Sequence, residues 1–204
     1  MDYAKNSEEP EAIQSVRIVN RNEYDLIEFR STQTIATSGL DGCFVVAITS
    51  EVGAILARIA RAPVGADGKL LPVIKPFGTD VWAWDTAMAH VAEKTLDLMS
   101  FYRRYKNTYI FQPSLVKAFV FSPGSKPDQD DDVDDDVLVP LFPEEQDFLT
   151  TMLQWEGLYP TEELYEVGAA SEPGAFPGLG TARVTGPETP WALPKTYLEE
   201  EFQG

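Results

Sequence analysis

One cysteine and one histidine among 204 residues exclude two kinds of chemistry at the outset. A lone cysteine forbids an intramolecular disulfide, and with a lone histidine it leaves no zinc-type ligand cluster. A free thiol fits a reducing compartment. Positive charge is also scarce: 16 lysines and arginines stand against 33 acids, for a net charge of −17. Such a surface repels phosphate backbones and anionic headgroups, which argues against nucleic-acid and membrane binding; a basic protein is the partner it admits. No stretch reaches the roughly 18 apolar residues of a membrane span, and MDYAKNSEEPEAIQ lacks an apolar run of signal-peptide length. The expectation is a cytoplasmic protein. No GK[ST] phosphate loop occurs, GLGTARVTG lacks dinucleotide-loop spacing, and DQDDDVDDD lacks the glycine of a calcium loop, so no metal and no cofactor are expected.

What is present suits one globular domain. Hydrophobic residues make up 44% of the chain and aromatics 11%, and a chain of this length buries well over half of its unfolded surface. The expected division is a disordered acidic arm at 1–14 and a single domain over 15–204. A disordered Asp-rich loop at 125–137 interrupts it, because seven aspartates in nine residues from Asp128 to Asp136 cannot be buried.

Strand patterns come first. SVRIVN (15–20) and YDLIEF (24–29) read as short strands joined by a polar turn, with TQTIAT (32–37) a third. CFVVAITS (43–50) and GAILARIA (53–60), rich in apolar residues around a tight turn at Glu51 and Val52, read as a hairpin. Proline and glycine make 61–78 a loop. A long helix follows, capped by Thr79 or Asp80 and running to about Tyr105, then strands at TYIFQ and LVKAFVF. A second helix at 143–157 has Pro143 at its start and acids in its first turn. TEELYEV and TARVT read as strands, and WALPKTYLEEEF as a docking tail. The fold class expected is α/β (α+β): a mixed β-sheet or sandwich with a cysteine-headed hairpin, flanked by two main helices, with β-α-β crossovers in its second half. Trp82, Trp84 and Trp155 are expected in the core.

Cys43 heads a strand just after the glycine-tight turn TSGLDGC. A thiol nucleophile needs a base within reach and donors for the developing oxyanion, and such a turn can offer backbone N–H groups. A free cysteine is equally at home as a small buried apolar residue. Antiparallel register sets Cys43 opposite a residue near 60, and the window Arg58–Arg61 holds no histidine. Arginine has no acceptor and stays protonated, so Arg58 cannot be a general base, though its charge can favour a thiolate. His90, on the long helix, reads as half-exposed.

TSGLDGC followed by two strands resembles the nucleophile region of the CheD-type chemoreceptor glutamine deamidases, whose fold is shared with the catalytic domain of the cytotoxic necrotising factors. The wider layout resembles a group of uncharacterised fungal proteins with a similar Gly–Cys strand. The resemblance spans roughly residues 34 to 200. It implies Cys43 as nucleophile and Thr37 as orienting residue if the chain is active, and it implies a histidine where Arg58 stands. Arg58 and Gly42 are the candidate binding residues. The reading that follows is a deamidase-fold protein without its catalytic histidine, a non-catalytic binding or scaffold module. Two alternatives stay open: an active thiol-dependent glutamine deamidase using Cys43, and an unrelated acidic α/β interaction protein in which Cys43 only packs.

Overall fold

A computed structural model describes residues 16–62, 84–112, 116–126, 137–167, 181–187 and 194–199. Its elements run β1 (Val16–Ile18), β2 (Glu23–Glu28), β3 (Thr34–Ser38), β4 (Phe44–Thr49), β5 (Gly53–Ile59) and α1 (Trp84–Tyr105). Then come β6 (Lys117–Ser125), β7 (Val139–Pro140), α2 (Pro143–Trp155), β8 (Thr161–Glu166), β9 (Thr181–Thr185) and β10 (Lys195–Glu199). The fold is α+β, with two helices and two mixed sheets among the described residues. One sheet has the order β1-β3-β9-β10; the other runs β2-β5-β4-β6, with β7 and β8 both against β6.

Three layers result. Phe44, Val46 and Ile48 of β4, with Ile55, Ala57 and Ile59 of β5, face α1 and α2. Val45, Ala47, Ala54 and Leu56 face the other sheet, where they meet Ile35, Ala182 and Val184. Both faces of these strands are covered, so they read as near-continuous apolar runs rather than alternating ones. Burying each large apolar side chain contributes about 1.5–3 kcal/mol.

The expected hairpin forms, with Thr49 paired to Ala54 and Phe44 to Ile59. The Ser50 hydroxyl accepts from the N–H groups of Val52 and Gly53, both at 3.1 Å. Gly53 allows a close approach: a Cβ there would lie 2.5 Å from the Ile27 carbonyl oxygen. The crossover in the second half is also present, since β6 and β8 are parallel with α2 between them. Pro143 opens α2, and Glu144 and Glu145 fill its first turn. Arg61 donates to Glu145 Oε1 through Nη2 at 2.6 Å and lies 3.6 Å over the Phe142 ring, fastening the end of β5 to the start of α2. At the far end, Glu156 accepts from Arg103 Nε at 2.6 Å and Lys106 Nζ at 2.8 Å, joining the two helix ends.

The fold departs from expectation at several points. SVRIVN and YDLIEF do not pair with one another: β1 runs parallel to β3 in one sheet, and β2 joins β5 in the other. TYIFQ is not a strand; the Ile110 carbonyl accepts from the Ser50 hydroxyl, and Ile110 and Phe111 bury their side chains from an irregular segment. The C-terminal tail supplies β10, paired to β9. Trp155 is 76% exposed rather than in the core, on the outer face of the last turn of α2. His90 is 8% exposed rather than half-exposed. Ser125, placed in the Asp-rich loop, instead closes β6 and pairs with Val139. The arm at 1–14, residues 127–136 of that loop, the Thr79 or Asp80 cap and Trp82 lie outside the described residues.

Candidate functional site

Thr37 and Cys43 flank the segment that carries the chain from one sheet to the other. Two turn residues, Asp41 (φ 39°) and Gly42 (φ 72°), take the left-handed conformation that glycine tolerates best. The turn they form closes through the Cys43 N–H, which donates to Leu40 O at 2.7 Å. Leu40 is fully buried and anchors the turn in the core between the sheets.

Pro123 accounts for the surroundings of Cys43. β4 pairs with β6 as far as Val45 and Phe121, so the next residue on the same face as Val45, Cys43, comes level with Pro123. Proline has no N–H to give, and the Pro123 carbonyl is already taken by the Leu141 N–H at 3.0 Å. The ladder therefore ends there, and the main-chain groups of Cys43 need other partners. Its N–H has Leu40. Its carbonyl accepts from the Tyr165 hydroxyl at 2.6 Å, in a fully buried hydrogen bond. Burial first, then the nearby Cys43 and Asp41 against the opposing Arg58 cation, pushes the Tyr165 phenol far above its ordinary value, so it remains a donor.

Arg58 pairs with Val45 in the hairpin, on the same face of the sheet as Cys43. It is 7% exposed. Its Nη1 donates to Ser38 O at 2.6 Å, and its Nη2 donates to Gly39 O. The cation thus holds the crossing segment through main-chain carbonyls, and no carboxylate pairs with it among the described residues. Arg58 Nε is buried without a partner, as is Thr37 Oγ1. Thr37 itself sits in β3 opposite Ala182.

The register expectation holds: continuing the ladder from Phe44 and Ile59 sets Cys43 beside Ala60, two residues from Arg58. Arg61, also in the window, turns to the helix side and meets Glu145. The structure thus brings Cys43, Arg58 and Gly42 into one corner, with Thr37 at the other end of the same segment. It does not bring a histidine there. His90 belongs to α1, which packs on the helix face of the sheet, whereas strand alternation turns Cys43 to the opposite face. Cys43 is 1% exposed. Its N–H, the donor a glycine-tight turn would offer an oxyanion, already serves Leu40.

Tyr165 escaped the reading of the sequence. Its partner lies 122 positions away, and its only trace is a buried place in the alternation of ELYEV. No family model matches the chain, and no curated protein matches it.

Proposed function

We propose that the chain is a non-catalytic binding module with a deamidase-like arrangement of its cysteine hairpin, and that its partner is a basic protein. The observation that carries this reading is the use made of Arg58. A deamidation centre needs a group that takes the thiol proton and later passes a proton to the departing ammonia. A guanidinium does neither, and here its terminal nitrogens are engaged by Ser38 O and Gly39 O. Burial of the sulfur and prior engagement of the Cys43 N–H support the same reading. The partner follows from a net charge of −17, which draws cationic surfaces and repels anionic ones. No described helix is long and apolar enough to cross a membrane. The free thiol completes the proposal with a cytoplasmic address.

Ammonia release from glutamine-containing peptides tests the reading, with wild type, Cys43→Ser and Arg58→His compared. The expected result is no turnover by wild type. Turnover that disappears in Cys43→Ser overturns the proposal in favour of the amidohydrolase. Turnover gained by Arg58→His marks the site as a deamidase that has lost its base.

A further inference from the structure

We infer that the outer edge of β2 is a docking groove for an extended segment of a basic protein. This inference rests on the reading of the chain as a binding module and assigns the surface that does the binding. A cleft of about 650 Å³ lies along β2. Tyr24 and Asp25 form its floor, Arg17 and Ile18 of β1 one wall, and Lys94 and Asp97 of α1 the other. Among the described residues β2 is the last strand of its sheet and pairs only with β5.

The hydrogen bonds show which residues face the cleft. The Phe29 N–H goes to Val52 O at 2.9 Å, on the β5 side. The Leu26 N–H instead reaches the Asp25 side chain at 2.8 Å. Antiparallel alternation therefore turns the main-chain groups of Tyr24 and Leu26 outward. An added strand finds that ladder half prepared, with Asp25 holding the place of an incoming carbonyl at Leu26.

The walls define the occupant. Side chains of an added strand alternate between the two faces of the sheet. On the α1 side they meet Asp97 and the Tyr24 ring, which is fixed by packing 4.8 Å from the Phe101 ring. On the β1 side they meet Ile18, an apolar residue 54% exposed on an edge strand, where a charge or proline is the usual guard. In the cleft Arg17 pairs with Asp25 and Lys94 lies 3.5 Å from Asp97, which leaves Glu23 as the acid with no cation against it among the described residues, and the whole chain carries −17. Lysine or arginine alternating with apolar residues matches this lining. A second copy does not, because two such acidic surfaces repel.

The test uses the full chain, nitrogen-15 labelled, with a fluorescent nine-residue peptide of alternating lysine and valine. A peptide with glutamate in place of lysine is the control. The expected result is binding of the lysine peptide only, with amide shifts centred on Tyr24 and Leu26. Asp97→Lys and Ile18→Lys, both at exposed positions, should each weaken binding about tenfold, and added salt should weaken it further. Tyr24→Pro removes an outward N–H without touching the β5 ladder and should abolish the shifts. No binding, equal binding of the glutamate peptide, or shifts confined to the edge of β8 overturns the groove. Dimerisation through the same amides gives it to a second copy instead. Tighter binding after deletion of residues 1–15 gives it to the chain's own N-terminal segment. Both results also overturn the proposal. Glutamine turnover in the ammonia assay would sink the binding-module reading while leaving the mapped groove in place, so the two failures are distinguishable.

Discussion

The corner around Cys43 and the outer edge of β2 belong to the same sheet, and they treat their polar groups in opposite ways. At the corner, the main-chain groups that the end of the ladder leaves over are matched from within: Cys43 N–H by Leu40, Cys43 C=O by Tyr165, and the Ser38 and Gly39 carbonyls by Arg58. At the edge, the main-chain groups of Tyr24 and Leu26 face a cleft, and only a side chain one residue away meets one of them. The difference teaches where to look for function. A cysteine heading a strand draws the eye, but at this corner the main-chain groups are paired, and only the buried Arg58 Nε and Thr37 Oγ1 are left without a partner. An open ladder beside an exposed isoleucine has a great deal left. The comparison predicts that substitutions at the corner act on stability and substitutions at the groove act on binding.

Arg58→Met is the strongest way to break that comparison. It keeps the unbranched apolar stem of the side chain but leaves two carbonyls of the crossing segment without their donor. Both bonds are part-buried and come from a charged donor, a class that contributes about 1.5–3 kcal/mol each, so losing the pair should cost about 3 kcal/mol. For a chain of this size that lowers Tm by about 6–12 °C. Thermal unfolding followed by circular dichroism measures it. A Tm within a degree of wild type would mean that Arg58 is not a clamp and would return it to consideration as a ligand-binding residue.

Tyr165→Phe comes next and isolates one bond. The ring stays in the core, and the Cys43 carbonyl loses its donor beside a proline that cannot replace it. The expected cost is about 1–2 kcal/mol. Iodoacetamide labelling of Cys43 sharpens the result, because a sulfur 1% exposed reacts only through opening of the structure. Labelling should be slow in wild type and about fivefold to thirtyfold faster in Tyr165→Phe, the factor that 1–2 kcal/mol gives. Fast labelling of the folded wild type would show a thiol far more accessible than this corner allows.

The sequence made one part of this architecture legible and hid another, for physical reasons. The β4–β5 hairpin was readable because apolar runs on both sides of Glu51 and Val52 leave one short turn, and that turn alone sets the register that brings Cys43 level with Ala60. The helices were readable from period and from signals such as Pro143. The partner of β1 was not readable, since three residues carry too little pattern to say which sheet they join. TYIFQ looks like a strand because apolar burial, which it has, is also what strands show; only the Ser50 contact with Ile110 reveals that its main chain does something else. His90 looked half-exposed because helix periodicity sees one helix, not the neighbours packed over it. Of the site, Cys43 and Arg58 were readable through the hairpin. Tyr165 and the groove were not, because both depend on contacts between segments distant in the chain.

His90 extends the comparison to α1, one turn before the Lys94 that lines the groove. Burial, then the Lys94 charge, against Glu93, lowers its pKa from the ordinary 6.5. The sign follows from which state binds the proton first. With the folded value depressed, the unfolded chain protonates first as the pH falls, so unfolding gains. The contribution of neutral His90 is full above pH 6.5 and is lost as the pH drops from there through the depressed folded value. Tm measured from pH 8 to pH 5 in wild type and His90→Gln should run in parallel above about pH 7. Below that, wild type should fall more steeply. Parallel curves throughout would mean that His90 titrates as an exposed histidine.

Thr37→Val is the smallest expected effect and the most discriminating. Thr37 is fully buried in β3 opposite Ala182, and its hydroxyl has no partner. Valine keeps the branched shape that suits the strand and removes an oxygen whose desolvation nothing compensates. A structural Thr37 therefore predicts no loss of stability and a gain of up to about 1 kcal/mol, visible as a Tm raised by roughly 0–4 °C. A threonine that orients a nucleophile predicts something else, because its hydroxyl would be held by a bond that valine breaks. A Tm lowered by several degrees would reveal such a bond and place Thr37 among groups poised for a ligand. In that case the corner would resemble the groove in keeping a polar group for something outside the fold, and the contrast between the two regions would fail at its most buried point.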